Sequence, residues 1–395
     1  MKNILRMIKQ RLKSLDYGML ISFIILGILG VVMIYSASMV SASKGALTGG
    51  VSIESNYFMK RQFIFLIMGI VVVIFIALCI NINFFKSAHI QKLMVIGTLC
   101  LLLITILIGK EINGSRNWIN LGIFSLQSSE FLKLASIFYL SYIINQRVRS
   151  HKDYQLKHML PPLAILGIGL LLVLMQGDLG GTLLTVAIIG CILIYSDIKN
   201  KIKFQIMGIT LVPLVIYGIY TLIFDSKNLY RLKRIKVMLD PFKYEDNDGY
   251  QLTSALTSIG NGGLTGKGLG NGIAKLGYLP EPHTDFIFTV ISEELGLLGV
   301  LFTLTIYGYL LVKGLIYANK TNNQFYKLIC VGVVSYIFMQ VFINLAGVSG
   351  IIPLTGVTLP LLSYGGSSML SISIAFGALL AVARRINNER KDTVK

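Results

Sequence analysis

Apolar positions along this chain come in long uninterrupted runs separated by short polar segments. The runs cover residues 17–41, 62–82, 93–109, 128–146, 159–176, 180–196, 204–224, 286–312, 328–347 and 366–383. Several are long enough to cross a bilayer core of about 30 Å at 1.5 Å per residue. No water is available there, so each segment must satisfy its own backbone groups, and the runs are predicted as helices. The expected fold class is all-α: a polytopic integral membrane protein with ten transmembrane helices. It forms a single membrane domain over 1–395, with a large extracellular loop at 225–285 between helices 7 and 8. Two spans are weak by hydropathy: the fourth carries Glu130 and Lys133, and the sixth is short and opens with Gly180 and Gly181.

Charge decides that both weak spans are kept. Of 395 residues, 54% are hydrophobic and 14% charged, against about 25% charged in an ordinary soluble protein. No Pro-, Ser- or charge-rich linker divides the chain. The net charge of +18 would suggest nucleic acid as partner of a soluble protein; here its distribution speaks to topology instead, and no nucleic acid is expected. With residues 1–16 cytoplasmic, the inner segments 1–16, 83–92, 147–158, 197–203, 313–327 and 384–395 hold 22 of the 36 Lys and Arg. Positive charge is retained inside across short loops, whereas long loops are largely exempt. Removing either weak span would invert this pattern, so both termini are expected inside. The first apolar run exceeds the 7–15 residues of a signal peptide and reads as a retained helix. Cys79, Cys100, Cys191 and Cys330 lie within apolar runs with no close partner or histidine, which points to neither a disulfide framework nor a zinc site.

The polar features gather at the outer end. Residues 228–240 place Leu229, Leu232, Ile235 and Leu239 at helical spacing among Arg231, Lys233, Arg234 and Lys236, a basic amphipathic helix suited to the headgroup level. It either meets anionic lipid or holds a lipid-linked phosphate. A second short helix follows, with Leu252, Ala255, Leu256 and Ile259 on one face. Residues 260–272 contain seven glycines in thirteen, but Asn261 and Gly268 stand where a P-loop needs Gly and Ser or Thr. The run is read as a tight loop open to close approach by chain or substrate. Asp285 then falls at the mouth of the eighth helix, with Glu293 and Glu294 about 10 Å deeper at 1.5 Å per residue. Ionisable groups at that depth mark a functional site or a buried partner. Glu130 and Lys133, three apart, can pair with each other, and Asp178 fits a tight turn. Residues 350–368, apolar but broken by two prolines and four glycines, are predicted as a loop tucked back against the bundle.

These motifs resemble the SEDS family of cell-wall polymerases. The resemblance is carried by Gly249-Tyr-Gln-Leu252, the glycine run, Leu279-Pro-Glu-Pro-His-Thr-Asp-Phe-Ile-Phe288, Glu293-Glu-Leu-Gly296 and Leu359-Pro-Leu-Leu-Ser-Tyr-Gly-Gly-Ser-Ser368. Tyr35-Ser-Ala-Ser38 and Gly114-Ser-Arg-Asn-Trp-Ile119 add to it. Gly270-Asn-Gly-Ile-Ala-Lys-Leu-Gly-Tyr278 is similar to the division branch rather than the elongation branch, and the similar sporulation branch stays open as the alternative. Asn117, Ser128 and Gly177 depart from the family pattern. The resemblance implies ten spans and a peptidoglycan glycosyltransferase that polymerises lipid II, with inversion, outside the cytoplasmic membrane at the division septum. It implies a monofunctional class B penicillin-binding transpeptidase and other divisome membrane proteins as partners. It places substrate at the motif residues Arg116, Trp118, Glu130, Lys133, Asp178, His283, Ser363 and Tyr364.

Chemistry fits the same end of the bundle. A sugar hydroxyl attacking an anomeric carbon needs a base, and Asp285 is placed for it; ordinary helix capping is the alternative for such an Asp. Charge on the leaving pyrophosphate needs a cation, supplied by Arg116, by Lys133 or by a divalent ion such as Mg or Mn. The rival function is a transporter that flips lipid II. Transporters place their sites near the midplane on interrupted, repeat-related helices, whereas here the polar groups gather at one end.

Overall fold

The computed structural model describes residues 11–45, 52–112, 115–122, 125–150, 155–210, 212, 228–277 and 279–393. The first half of the chain forms α1 (Tyr17–Ser43), α2 (Tyr57–Cys79), α3 (Ala88–Ile108), α4 (Ser128–Ser150), α5 (Leu160–Met175) and α6 (Leu179–Tyr195). Residues 200–210 form α7. Two shorter helices follow, α8 (Asn228–Leu239) and α9 (Tyr250–Asn261), and then α10 (Ile287–Asn319), α11 (Gln324–Val348) and α12 (Gly366–Thr393). The chain is a multi-pass helical membrane protein. Six of the described helices, α1, α2, α3, α10, α11 and α12, are long and apolar enough to cross a bilayer, and α5 and α6 are shorter apolar helices.

Several helices overrun the apolar stretches that predict them. Thus α2 begins at Tyr57 rather than 62, and α10 runs on to Asn319 rather than 312. Hydropathy marks only the part in hydrocarbon, while backbone bonding carries the helix on into the polar layer. Of the expected seventh span, 204–224, residues 204–210 are helical and 212 is too; the rest lies outside the described residues. Asp16 caps α1 by accepting from the Met19 amide at 3.1 Å, and Asp178 caps α6 by accepting from the Gly181 amide at 2.7 Å.

Packing gives α11 the central place, in contact with α4, α6, α10 and α12, while α2 lies along α12. That enclosure explains α4, whose polar residues weaken its apolar signal: Glu130 and Lys133 point into protein and are 3% and 2% exposed. Residues 350–365 form no helix or strand, yet Leu359, Leu361 and Leu362 are buried. Irregular backbone inside a membrane protein survives where protein surrounds it. Here Tyr307 of α10 donates to the Pro360 carbonyl, and Gln62 of α2 donates to the Ser363 carbonyl at 3.3 Å and accepts from the Gly365 amide at 3.3 Å.

One element departs from the all-helical expectation. Between α3 and α4 lies a small antiparallel sheet of β1 (Lys110–Ile112), β2 (Ser115–Asn120) and β3 (Ser125–Gln127), in the order β1-β2-β3. Asn117 and Ile119 of β2 are buried while Arg116 and Asn120 are exposed, the alternation of a sheet with one covered face. The Arg116 amide donates to the Gln176 carbonyl at 2.8 Å and the Ser115 hydroxyl to that of Gly177 at 3.1 Å. Both bonds fasten the sheet to the turn between α5 and α6.

Candidate active site

Asp285 stands immediately before α10, where two irregular segments meet, 279–286 and 356–365. Pro280 and Pro282 keep the first out of helix, and Glu281 between them has φ 47°. A non-glycine residue at positive φ is uncommon and needs its surroundings to hold it there. The hold comes from the second segment. The Tyr364 amide donates to the His283 carbonyl at 2.9 Å. The Ser363 hydroxyl donates to the Thr284 carbonyl at 2.5 Å while accepting from the Leu359 amide at 2.7 Å. Asn344 of α11 donates from one amide nitrogen to the Asp285 carbonyl at 2.8 Å and the Val357 carbonyl at 2.7 Å. The two segments are therefore one unit, in which the carbonyls of His283, Thr284 and Asp285 are each held by a hydrogen bond.

The carboxylate itself has fewer partners. The Thr284 hydroxyl donates to its Oδ1 at 2.6 Å, and Arg234 of α8 is its cationic neighbour. Burial holds the Asp285 carboxyl above the usual carboxylate range; the Thr284 hydrogen bond, a hydrogen bond from its own backbone and the Arg234 charge pull it partly back. A carboxylate raised in this way is a stronger base than a free aspartate. Glu281 is raised as well, by burial and then by the charge of Asp285. Burial pushes His283 down to about 4, so it is neutral at pH 7. Its ring lies 4.6 Å from that of Phe58 and 5.6 Å from that of Tyr364, and its Nδ1 has no hydrogen-bond partner. Burial likewise raises the Tyr364 phenol, against the pull of Arg61 beside it.

Of the residues expected from sequence, the structure brings His283, Asp285, Ser363 and Tyr364 together. Glu130 and Lys133 lie apart from them, facing α11 and α12. Lys133 Nζ donates to Glu130 Oε1 at 2.6 Å and sits 4.9 Å from the Tyr336 ring centre. Tyr336 donates to the same carboxylate, and Ser371 does so at 2.8 Å. Tyr336, Gln340 and Asn344 are spaced by four on α11 and so share one face. Gln340 donates to Thr358 at 3.3 Å, and Asn344 holds Asp285. This face links the buried pair to the Asp285 backbone.

Arg116, Trp118 and Asp178 belong to a third group. Trp118 pairs with Lys110 and Gln127 in the sheet, and exposed Arg116 pairs with Glu111 at 3.4 Å. Asp178 accepts from Ser129 at 2.8 Å and from the Gln127 side chain at 3.3 Å besides capping α6. The Gln127 amide donates to Ser367 at 3.0 Å, which ties this group to the start of α12. Sequence reading passed over Thr284 and Asn344, and named Arg234 only as part of a basic amphipathic helix, not as the neighbour of Asp285. For Asn344 a signal existed, since polar side chains inside an apolar span are costly and rarely idle.

Two hollows flank these groups. One, of about 330 Å³, is lined by Arg234, Asp248, Tyr250, Gln251, Pro280 and Pro353, among others. The other, of about 260 Å³, is an apolar groove lined by Leu93, Leu101, Phe131, Phe138 and Ile374, among others. Its upper wall, Phe131, adjoins Glu130. Among the described residues no group of three or more His, Cys, Asp or Glu side chains could hold a metal ion.

Residues 17–388 match the sequence profile of the cell cycle protein family that comprises FtsW, RodA and SpoVE. The chain belongs to the SEDS family. This SEDS protein is 37% identical to the probable peptidoglycan glycosyltransferase FtsW of Bacillus subtilis, over 95% of its own length and 92% of that relative. It is 39% identical to the probable peptidoglycan glycosyltransferase FtsW of Nitrosomonas europaea, over 93% and 92%. Stage V sporulation protein E of Bacillus subtilis is 35% identical, over 94% and 97%. Its fold matches a chain of a peptidoglycan synthase complex that coordinates polymerization and crosslinking, with a TM-score of 0.73 at 24% identity over 94% and 98% of the chains. Rod shape determining protein RodA of Thermus thermophilus matches with a TM-score of 0.65 at 24% identity, over 94% and 97%.

Proposed function

We propose that this SEDS protein is a peptidoglycan glycosyltransferase of the division type, which polymerises lipid II at the outer face of the cytoplasmic membrane. The observation that carries the chemistry is Asp285: a carboxylate raised by burial, with one side-chain hydrogen bond from Thr284, its carbonyl held by Asn344 and the preceding carbonyls by Ser363 and Tyr364. Its carboxylate takes the proton from the acceptor sugar hydroxyl as that oxygen bonds to the anomeric carbon of the donor. The bond from that carbon to the polyprenyl pyrophosphate breaks on the opposite side, with inversion. Pyrophosphate leaves as a stable anion, so one carboxylate suffices.

Arg234, beside the 330 Å³ hollow, is a cation whose charge reaches the base and stabilises negative charge gathering on the leaving group. The hollow mixes the polar groups of Asp248, Tyr250 and Gln251 with Pro280 and Pro353, as a sugar with polar edges and apolar faces requires. The apolar groove below Phe131 suits a polyprenyl tail. Both termini lie in the cytoplasm under the positive-inside distribution, and the protein works at the septum with a transpeptidase partner. Glu130 and Lys133 support the Asp285 backbone through the face of α11 that carries Tyr336 and Asn344, and Asp178, Arg116 and Trp118 belong to the sheet and turn tied to the start of α12 through Gln127.

Purified protein in detergent, given lipid II with and without a class B transpeptidase, is the test. Detergent abolishes compartments, so strand formation there is expected of a polymerase and impossible for a pure transporter. Translocation in vesicles with no strands under any condition would give the assignment to transport.

A further inference from the structure

The glycine run and the two glutamates Glu293 and Glu294 are left unused by this mechanism, and the structure joins them. Helix α10 is interrupted at Gly296, where φ is 65° and ψ is −165°, a conformation that only glycine adopts without strain. An unbroken helix would pair the amides of Leu297 and Leu298 with the carbonyls of Glu293 and Glu294. Instead the external loop supplies all four partners. The Lys267 amide donates to the Glu293 carbonyl at 2.9 Å and the Gly268 amide to that of Glu294 at 3.0 Å. The Leu297 amide donates to the Gly263 carbonyl at 2.9 Å and the Leu298 amide to that of Leu264 at 3.1 Å. Loop residues 263–268 are spliced into the break and pair the four backbone groups that the interruption would leave open.

The glutamate side chains hold the next stretch of the loop. Glu293, 1% exposed, accepts from the amides of Ile273 at 3.0 Å and Ala274 at 3.1 Å and from Lys267 Nζ at 3.0 Å. Glu294, fully buried, accepts from the Gly270 amide at 3.0 Å, from Lys275 Nζ at 2.7 Å and from Ser36 of α1 at 2.7 Å. A Cβ on Gly272 would come within 2.9 Å of Glu294 and 3.0 Å of Glu293, so glycine is what lets both carboxylates reach the loop. The hold continues to the base. The Leu279 amide donates to the Ala274 carbonyl at 2.9 Å, and Ala274 and Leu279 pack with Ala255, Val348 and Phe286, the neighbour of Asp285.

We infer that Glu293 and Glu294 are positioning residues of the glycosyl transfer, which lock the loop into the break of α10 and so fix the short helical piece that begins two residues after Asp285. This rests on Asp285 being the base. Neither carboxylate has a face open to substrate, so their loss acts on turnover and not on substrate affinity.

The test compares Glu293→Gln, Glu294→Gln and Gly272→Ala in the full chain, purified in detergent. It reads steady-state polymerisation and amide hydrogen exchange across residues 263–277. Expected is a fall in kcat of at least about thirtyfold with KM within about threefold, since a misplacement of about 1 Å can cost about a hundredfold. Exchange in the loop should quicken at least about tenfold, as a local opening that the bonds now oppose becomes easy. Gly272→Ala keeps both buried charges, so it carries the test if the glutamine variants do not fold. A rise in KM with kcat unchanged would make the glutamates substrate contacts and overturn the inference. So would faster exchange with normal turnover, or no change in either. An Asp285→Asn variant that polymerises normally removes the base, and the inference with it, whatever the exchange shows.

Discussion

Asp285 and Glu130 are both acidic side chains set into an apolar helical bundle, and the protein treats them in opposite ways. Glu130 is saturated: Lys133, Tyr336 and Ser371 all donate to its carboxylate, and it is 3% exposed. Asp285 has its backbone fixed by Asn344 and its neighbours by Ser363 and Tyr364, but its side chain accepts one side-chain hydrogen bond, from Thr284. The difference lies in where the hydrogen bonds are spent. A carboxylate that is to take a proton needs a rigid main chain and an underused side chain. One that is to pack needs every lone pair occupied.

The sharpest way to break this contrast is Asp285→Asn. Polymerisation of lipid II should drop by about 10²–10⁴-fold, with thermal stability unchanged because no ion pair is lost. Near-normal strand synthesis by that variant would end the distinction drawn here. Asn344→Leu removes the two bonds that hold the carbonyls of Asp285 and Val357, leaving the base itself untouched. Turnover should fall by about a hundredfold as the carboxylate drifts, and steady-state kinetics should show little change in KM.

Lys133→Ala addresses the other carboxylate and should act first on stability. It leaves Glu130 charged and buried, at a cost of about 3–5 kcal/mol, measured as a lowered unfolding midpoint in detergent. Replacing Glu130 and Lys133 together by leucine should recover most of that midpoint. Activity should stay reduced, because Tyr336 then loses the partner that fixes α11 beneath Asn344. A double variant both stable and fully active would confine the pair to packing.

The smallest effect sharpens the electrostatics. Burial raises Asp285 above its ordinary value of 3.8, so activity should be full above the raised value and be lost as pH falls through it. Arg234 favours the charged form. In Arg234→Met the acid limb of kcat/KM should therefore move to still higher pH, by up to about one unit. An acid limb that stays in place would show that Arg234 does not act on the base.

Much of the fold was legible in the sequence because a bilayer permits so few solutions. An apolar run with no water has to be a helix, and the broken run at 350–368 could be only a tucked loop. Asp285 was legible too, as a carboxylate at a helix mouth inside a motif. The sheet at 110–127 was not, since its strands are three to six residues long and their pairing is set by the α5–α6 turn 60 residues on. Nor could Glu293 and Glu294 be assigned: spacing shows that two charges are buried, but not which of many lysines, serines and backbone amides lies opposite. Sequence alone determined what each segment must do with its own backbone, because helix hydrogen bonds close within a few residues. Only the tertiary structure decided which side chains are used up and which is left free to react. Ser36 meets Glu294, Gln62 meets Ser363, and Asn344 meets Asp285 only once the helices have packed.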